Sequence, residues 1–160
     1  MKMIRMQIAN SAFSFFEMGE KAYNEALNKA ETDSEAAFYG LLPSIVNLSL
    51  SIELFIKSFL EAKREYRIHD LKKLYDAWEG PEKAVIQQAI VQEFAKYRPD
   101  FDDNKFVIFL ENNKEAFEDW RYYYERGKSA DPTFLYCMAK VLNEFAYRCK
   151  DALKSAGLLA

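Results

Sequence analysis

Apolar residues return at intervals of three and four along nearly the whole chain, which is the period of a helix that buries one face. From Ile4 to Ala30 the repeat runs through Ile8, Ala12, Phe15, Phe16, Tyr23, Ala26, Leu27 and Ala30, and predicts one long helix. Asp33 or Ser34 then offers an oxygen that can cap a second one. That helix begins with Glu35-Ala36-Ala37-Phe38-Tyr39, is expected to bend between Gly40 and Pro43, and continues to about Lys63. A proline either opens a helix in its first turn or kinks one that continues, and the sequence leaves both open.

A polar connection, Arg64 to His69, leads into the short apolar run Leu71 to Trp78, which His69 or Asp70 can cap and Gly80-Pro81 stops. A helix is predicted from Glu82 to Tyr97, with Val85, Ile86, Ile90, Val91 and Phe94 inward, before an acidic loop from Arg98 to Asn104. Another is predicted from Lys105 to Glu125, with Phe106, Ile108, Phe109, Phe117 and Trp120 toward the core. Gly127 would end it in the left-handed conformation. Asp131-Pro132 opens the last helix, which runs to about Ser155. No alternating run predicts a strand, and no internal repeat or low-complexity segment is present. The expectation is a single all-α domain over residues 1–160, a compact antiparallel bundle of five or six helices joined by short loops.

Composition adds limits. Of the 160 residues, 50% are hydrophobic and 16% aromatic, enough for a sizeable core. A net charge of −3 argues against a general nucleic-acid coat and leaves room only for a local basic groove. Cys137 and Cys149 fall on one predicted helix, about 18 Å apart by helical rise, too far to bridge. Two reduced thiols suggest a cytoplasmic protein, and a single histidine gives a zinc site little support. The N-terminus shows no sustained apolar leader pattern. The most apolar stretch, Leu41 to Leu60, carries Pro43, Asn47, Glu53 and Lys57, which suits a core helix better than a membrane span. No membrane association, metal or cofactor is expected.

Two polar islands hold the candidate chemistry. Glu53 and Lys57 lie four apart on the apolar second helix and share a face, with Glu61 and Arg64 extending the stripe. They form either an ordinary solvated ion pair or a partly buried site in which Glu53 holds a cation such as Arg121. His69 follows, the only histidine. It either caps or ties helices, or serves in acid–base work or phosphate contact. Lys63, Arg64, Arg67, Lys72 and Lys73 surround it with positive charge. The second island is Trp120-Arg121-Tyr122-Tyr123-Tyr124-Glu125, where tyrosines beside an arginine can stack a base and grip a phosphate, or simply pack under a loop. There is no glycine-rich phosphate loop, no G-x-S-x-G elbow and no Glu-x-x-His pair.

Three segments give the chain a resemblance to the HEPN superfamily of small prokaryotic helical domains. Leu50-Ser51-Ile52-Glu53-Leu54-Phe55-Ile56-Lys57 is similar to the family's Glu-Leu-x-x-Lys-rich second helix. His69-Asp70-Leu71, with Leu74 beyond it, looks like its H-D-L turn into a short helix. Arg121-Tyr122 is similar to an R-Y element in members associated with nucleotidyltransferases. The resemblance spans about residues 5 to 155. It implies an up-and-down bundle, often dimeric, among metal-independent ribonuclease toxins, phage-defence effectors and noncatalytic partners of nucleotidyltransferases. Active ribonucleases of the family place an Arg four to six residues before a His on a late helix. Here Arg64 and His69 have that spacing, but in an earlier connection, while Arg121 is followed by Arg126 and no histidine.

The expectation is therefore a homodimeric domain that binds a nucleotide or RNA phosphate through a composite site of Glu53, Lys57, His69, Arg121 and Tyr124. Arg121 would grip the anion, Tyr124 would orient it or stack on the base, His69 would donate a hydrogen bond, and Glu53 would hold Arg121. One alternative is a metal-independent ribonuclease with His69 as acid–base and Arg64 or Arg121 stabilising the developing charge. Another is a protein-interaction module, an antitoxin or immunity partner, in which these residues are only core and caps.

Overall fold

The computed structural model of the chain describes residues 4–60, 67–121 and 130–159, Arg121 by its backbone alone. Among the described residues there are seven helices and no strand. They are α1 (Met6–Ala30), α2 (Ser34–Phe59), α3 (Leu71–Ala77), α4 (Glu82–Ala95), α5 (Asp103–Asn112), α6 (Ala116–Arg121) and α7 (Pro132–Ser155). The protein is an all-α helical bundle. It has one helix more than expected because the segment from Lys105 onward breaks at Asn113. That side chain is buried; its amide donates to the Phe109 carbonyl at 2.8 Å and its oxygen accepts from the Asp131 N–H at 2.8 Å. One asparagine thus ends α5 and anchors the approach to α7. Gly127, expected to end this helix, lies outside the described residues.

Asp33 caps α2 by accepting from the Ala36 N–H at 2.9 Å, and the three-residue connection folds α1 and α2 into an antiparallel hairpin. The face α1 buries is Ala9, Ala12, Phe13, Phe16, Gly19, Tyr23 and Ala26. Ala12, Phe16, Tyr23 and Ala26 are as expected, but the face is turned slightly so that Ala9, Phe13 and Gly19 join them and Leu27 is left exposed. Small residues decide the rotation. A methyl group built on Gly19 would sit 2.8 Å from Leu48 Cγ and 3.0 Å from the Leu48 nitrogen, so only glycine lets α2 approach this closely.

α2 runs unbroken through Pro43 and is the central helix, packing against α1, α3, α6 and α7. Its buried serines are satisfied within the helix. Ser49 donates to the Ile45 carbonyl at 2.6 Å, Ser51 to Leu48 at 2.8 Å and Ser58 to Phe55 at 2.6 Å. By length and a mean hydropathy of 1.5, α2 is apolar enough to cross a membrane, and half of its apolar window is buried inside the bundle.

The far side of the core is aromatic. Phe134, fully buried in the first turn of α7, lies within 5.5–6.2 Å of the rings of Phe94, Phe101, Phe106 and Phe109. Asp131 caps this turn through the Phe134 N–H at 2.9 Å. At its other end α7 closes on Gly157, whose φ of 70° permits the Leu158 N–H to reach the Leu153 carbonyl at 2.9 Å.

Glu93 ties α4 to α7, accepting from Lys140 Nζ at 2.7 Å and pairing with Lys96. The Lys140 hydrogen bond, followed by that of Lys96, holds the Glu93 carboxyl below its usual range. A carboxyl depressed in the folded state stabilises above its unfolded value of about 4.3 and loses that contribution as pH falls through the folded value. Glu93→Gln is therefore expected to cost about 0.5–1 kcal/mol at neutral pH, a cost that vanishes in acid. Urea midpoints measured across pH check this, and a cost that persists unchanged in acid would contradict it.

Candidate functional site

The chemistry gathers where α2, the turn into α3 and the start of α6 meet. Glu53 and Lys57 are only 2% and 5% exposed, although they sit in the middle of an ionisable stripe. Lys57 Nζ donates to Glu53 Oε1 at 2.6 Å. Around them Ile52, Phe55, Ile56 and Phe59 are also buried, so α2 is enclosed here on nearly all sides. Two charges removed from water at this depth cost several kcal/mol each in desolvation, and their attraction offsets that only when the remaining lone pairs are also satisfied.

His69 completes the set. Its Nδ1 lies 3.1 Å from Glu53 Oε1 and 3.3 Å from Oε2, so one carboxylate sits between an ammonium and an imidazole. A carboxylate only accepts, so this contact is attractive when Nδ1 carries the proton. In the neutral ring that leaves Nε2 as a bare acceptor. Nε2 makes no hydrogen bond to a described residue, and the side chain is 48% exposed. The arrangement favours the Nδ1–H tautomer and turns the other nitrogen away from Glu53.

Backbone contacts lock the turn that carries His69. Asp70, not His69, caps α3, accepting from the Lys73 N–H at 2.9 Å. The Leu71 N–H donates to the Lys114 carbonyl at 2.9 Å, fastening the turn to the connection between α5 and α6. On the other flank the Arg5 N–H donates to the Ser58 carbonyl at 3.0 Å and its guanidinium donates to the Lys57 carbonyl, strapping the end of α2. Trp78 stacks on Phe59 with ring centres 5.0 Å apart and holds the end of α3 to α2.

These contacts shape a cleft of about 270 Å³ lined by Arg67, Ile68, His69, Asp70, Lys73, Glu115 and Glu118. It is not uniformly basic. Arg67 and Lys73 come from the His69 turn and α3, whereas Glu115 and Glu118 come from the start of α6. Asp70 is engaged as a cap and lies 3.9 Å from Lys73 Nζ.

Of the expected composite site, the structure brings together Glu53, Lys57 and His69. Arg64 and Tyr124 lie outside the described residues, as does the side chain of Arg121, whose backbone closes α6. Sequence reasoning did not anticipate Glu115 and Glu118 as lining residues or Arg5 as a strap. Their proximity depends on the Leu71–Lys114 and Arg5–Ser58 contacts, which no spacing encodes. Among the described residues no group of three or more His, Cys, Asp or Glu is placed to hold a metal. Burial pushes the Cys137 thiol up to about 12 and raises that of Cys149, so neither supplies a thiolate at neutral pH. Compared with family models, curated proteins and solved structures, the chain matches none.

Proposed function

We propose that the chain binds the phosphate of a nucleotide or RNA at the His69 cleft, as a HEPN-like regulatory domain. The observation that carries this is the buried Glu53–Lys57 pair, whose contact toward the cleft is His69 Nδ1. Apolar residues of similar volume would serve the core at least as well as a buried ion pair. The pair is explained if it sets the proton position of a half-exposed imidazole. A phosphate at Nε2 calls for the protonated ring, with one N–H donating to Glu53 and the other to the ligand, while Arg67 and Lys73 add positive charge. Both ring nitrogens then act as donors.

The Nδ1 contact to Glu53 also supports a second reading. With Nδ1 protonated, Nε2 can take a proton from a ribose hydroxyl, the first step of metal-independent RNA cleavage. Arg64 or Arg121 would supply the stabilising charge. In both readings the HEPN resemblance implies a homodimer beside a nucleotidyltransferase or antitoxin partner in a toxin–antitoxin or phage-defence system, and the two free thiols suit the cytoplasm.

The test pairs wild type with His69→Ala. Nucleotide at about 100 times its Kd is expected to stabilise wild type by about 2.7 kcal/mol, seen as a rise in Tm, and the variant not at all. RNA cleaved in EDTA by wild type and spared by the variant would establish the ribonuclease. Neither a Tm shift nor cleavage would overturn both and leave a protein-interaction module.

A further inference from the structure

Phosphate binding uses one wall of the His69 cleft and leaves the other without a purpose. Glu115 and Glu118 line the same 270 Å³ as Arg67 and Lys73, and two carboxylates weaken any site that holds only an anion. A ligand that fits both walls must carry negative charge at one end and hydrogen-bond donors at the other. The volume is near the lower end of small-ligand pockets, the size for a mononucleotide rather than a duplex.

Glu118 is the acid best placed to read such donors. It lies in the first turn of α6, where its N–H donates to the Glu115 carbonyl at 2.9 Å. Its carboxylate has no hydrogen bond or ion pair with a described residue, and it is partly buried at the cleft wall. An ionised carboxylate offers two acceptor oxygens and no donor. The pairing edges of the bases differ in how they meet that fork. Adenine and cytosine each present an amino group beside a ring nitrogen lone pair, which repels the second oxygen. Uracil presents one N–H between two carbonyls. Guanine presents N1–H and the N2 amino group side by side, two donors for two oxygens.

We infer that the cleft selects a guanine nucleotide, with the phosphate toward His69, Arg67 and Lys73 and the guanine pairing edge on Glu118. This rests on the phosphate-binding reading and adds the identity of the base.

The experiment is equilibrium binding of GMP, IMP, AMP and UMP to the wild-type protein, to Glu118→Gln and to His69→Ala, with the Tm of each unliganded variant confirming an intact fold. Wild type is expected to prefer GMP over AMP and UMP by about tenfold or more, the scale of one two-pronged base contact. IMP, which lacks the amino group, should fall between. Glu118→Gln should lose that preference through weaker GMP binding, while AMP and UMP bind no more weakly than before. Equal wild-type affinity for all four, abolished by His69→Ala, overturns the guanine inference and leaves the phosphate site standing. Binding of none overturns both. A guanine preference that survives Glu118→Gln also overturns the assignment to Glu118.

Discussion

Glu53→Ala is expected to destabilise the fold by about 3–5 kcal/mol, because it removes one partner of a buried ion pair. Lys57 is 5% exposed and its Nζ donates to Glu53 Oε1 at 2.6 Å, so the variant leaves an ammonium in an apolar helix without that carboxylate. The double variant Glu53→Leu/Lys57→Met removes both charges at similar volume and is expected to match wild-type stability or exceed it. It should nevertheless lose nucleotide binding, since Nδ1 of His69 no longer faces an acceptor. Urea unfolding with an unchanged m-value measures the first effect and nucleotide titration the second. A Glu53→Ala cost below about 1 kcal/mol would show that the pair is effectively solvated. A double variant that binds nucleotide as wild type does would show that it serves only the fold.

Phe134→Ala should cost a comparable amount, about 3–5 kcal/mol. Phe134 is fully buried and meets four other phenylalanine rings, so alanine leaves a cavity whose aromatic walls cannot collapse without moving α4 and α5 as well. Phe134→Leu, which fills most of the volume, should cost appreciably less. Because the ring is on the aromatic side of the core, the leucine variant should retain nucleotide binding. Equal costs for alanine and leucine would contradict a packing origin.

The helical period made the bundle legible, and capping residues located several of its boundaries. Asp33, Asp70 and Asp131 each accept from a backbone N–H three residues on, as their place before an apolar run suggested. What the period could not settle was rotation. α1 buries Ala9, Phe13 and Gly19 beside the expected Ala12, Phe16, Tyr23 and Ala26, and leaves Leu27 exposed, because Gly19 lets α2 approach closely at Leu48. The break at Asn113 was hidden for a related reason, since it depends on a bond to Asp131 eighteen residues away. Glu53 shows the limit most directly. Four-residue spacing to Lys57 allows either a solvated or a buried pair, and the choice turns on α2 being covered by four other helices. The pattern held one hint: between Ser51 and Leu60 apolar residues occur on every side of the axis, as in a helix with no solvent face. Glu53, Lys57 and His69 could be nominated as one site, whereas the acidic wall of the cleft, made by Glu115 and Glu118, required the tertiary contacts themselves.

If Glu53 holds the Nδ1 proton of His69, Nε2 is left for a phosphate. Because His69 is the only histidine in the chain, ¹⁵N NMR of the imidazole reports on it without ambiguity. At alkaline pH the free protein is expected to show the Nδ1–H tautomer, and saturating nucleotide should shift the Nε2 resonance to that of a nitrogen donating to phosphate. An Nε2–H tautomer in the free protein, or nitrogen shifts unchanged at saturating nucleotide, would contradict this reading.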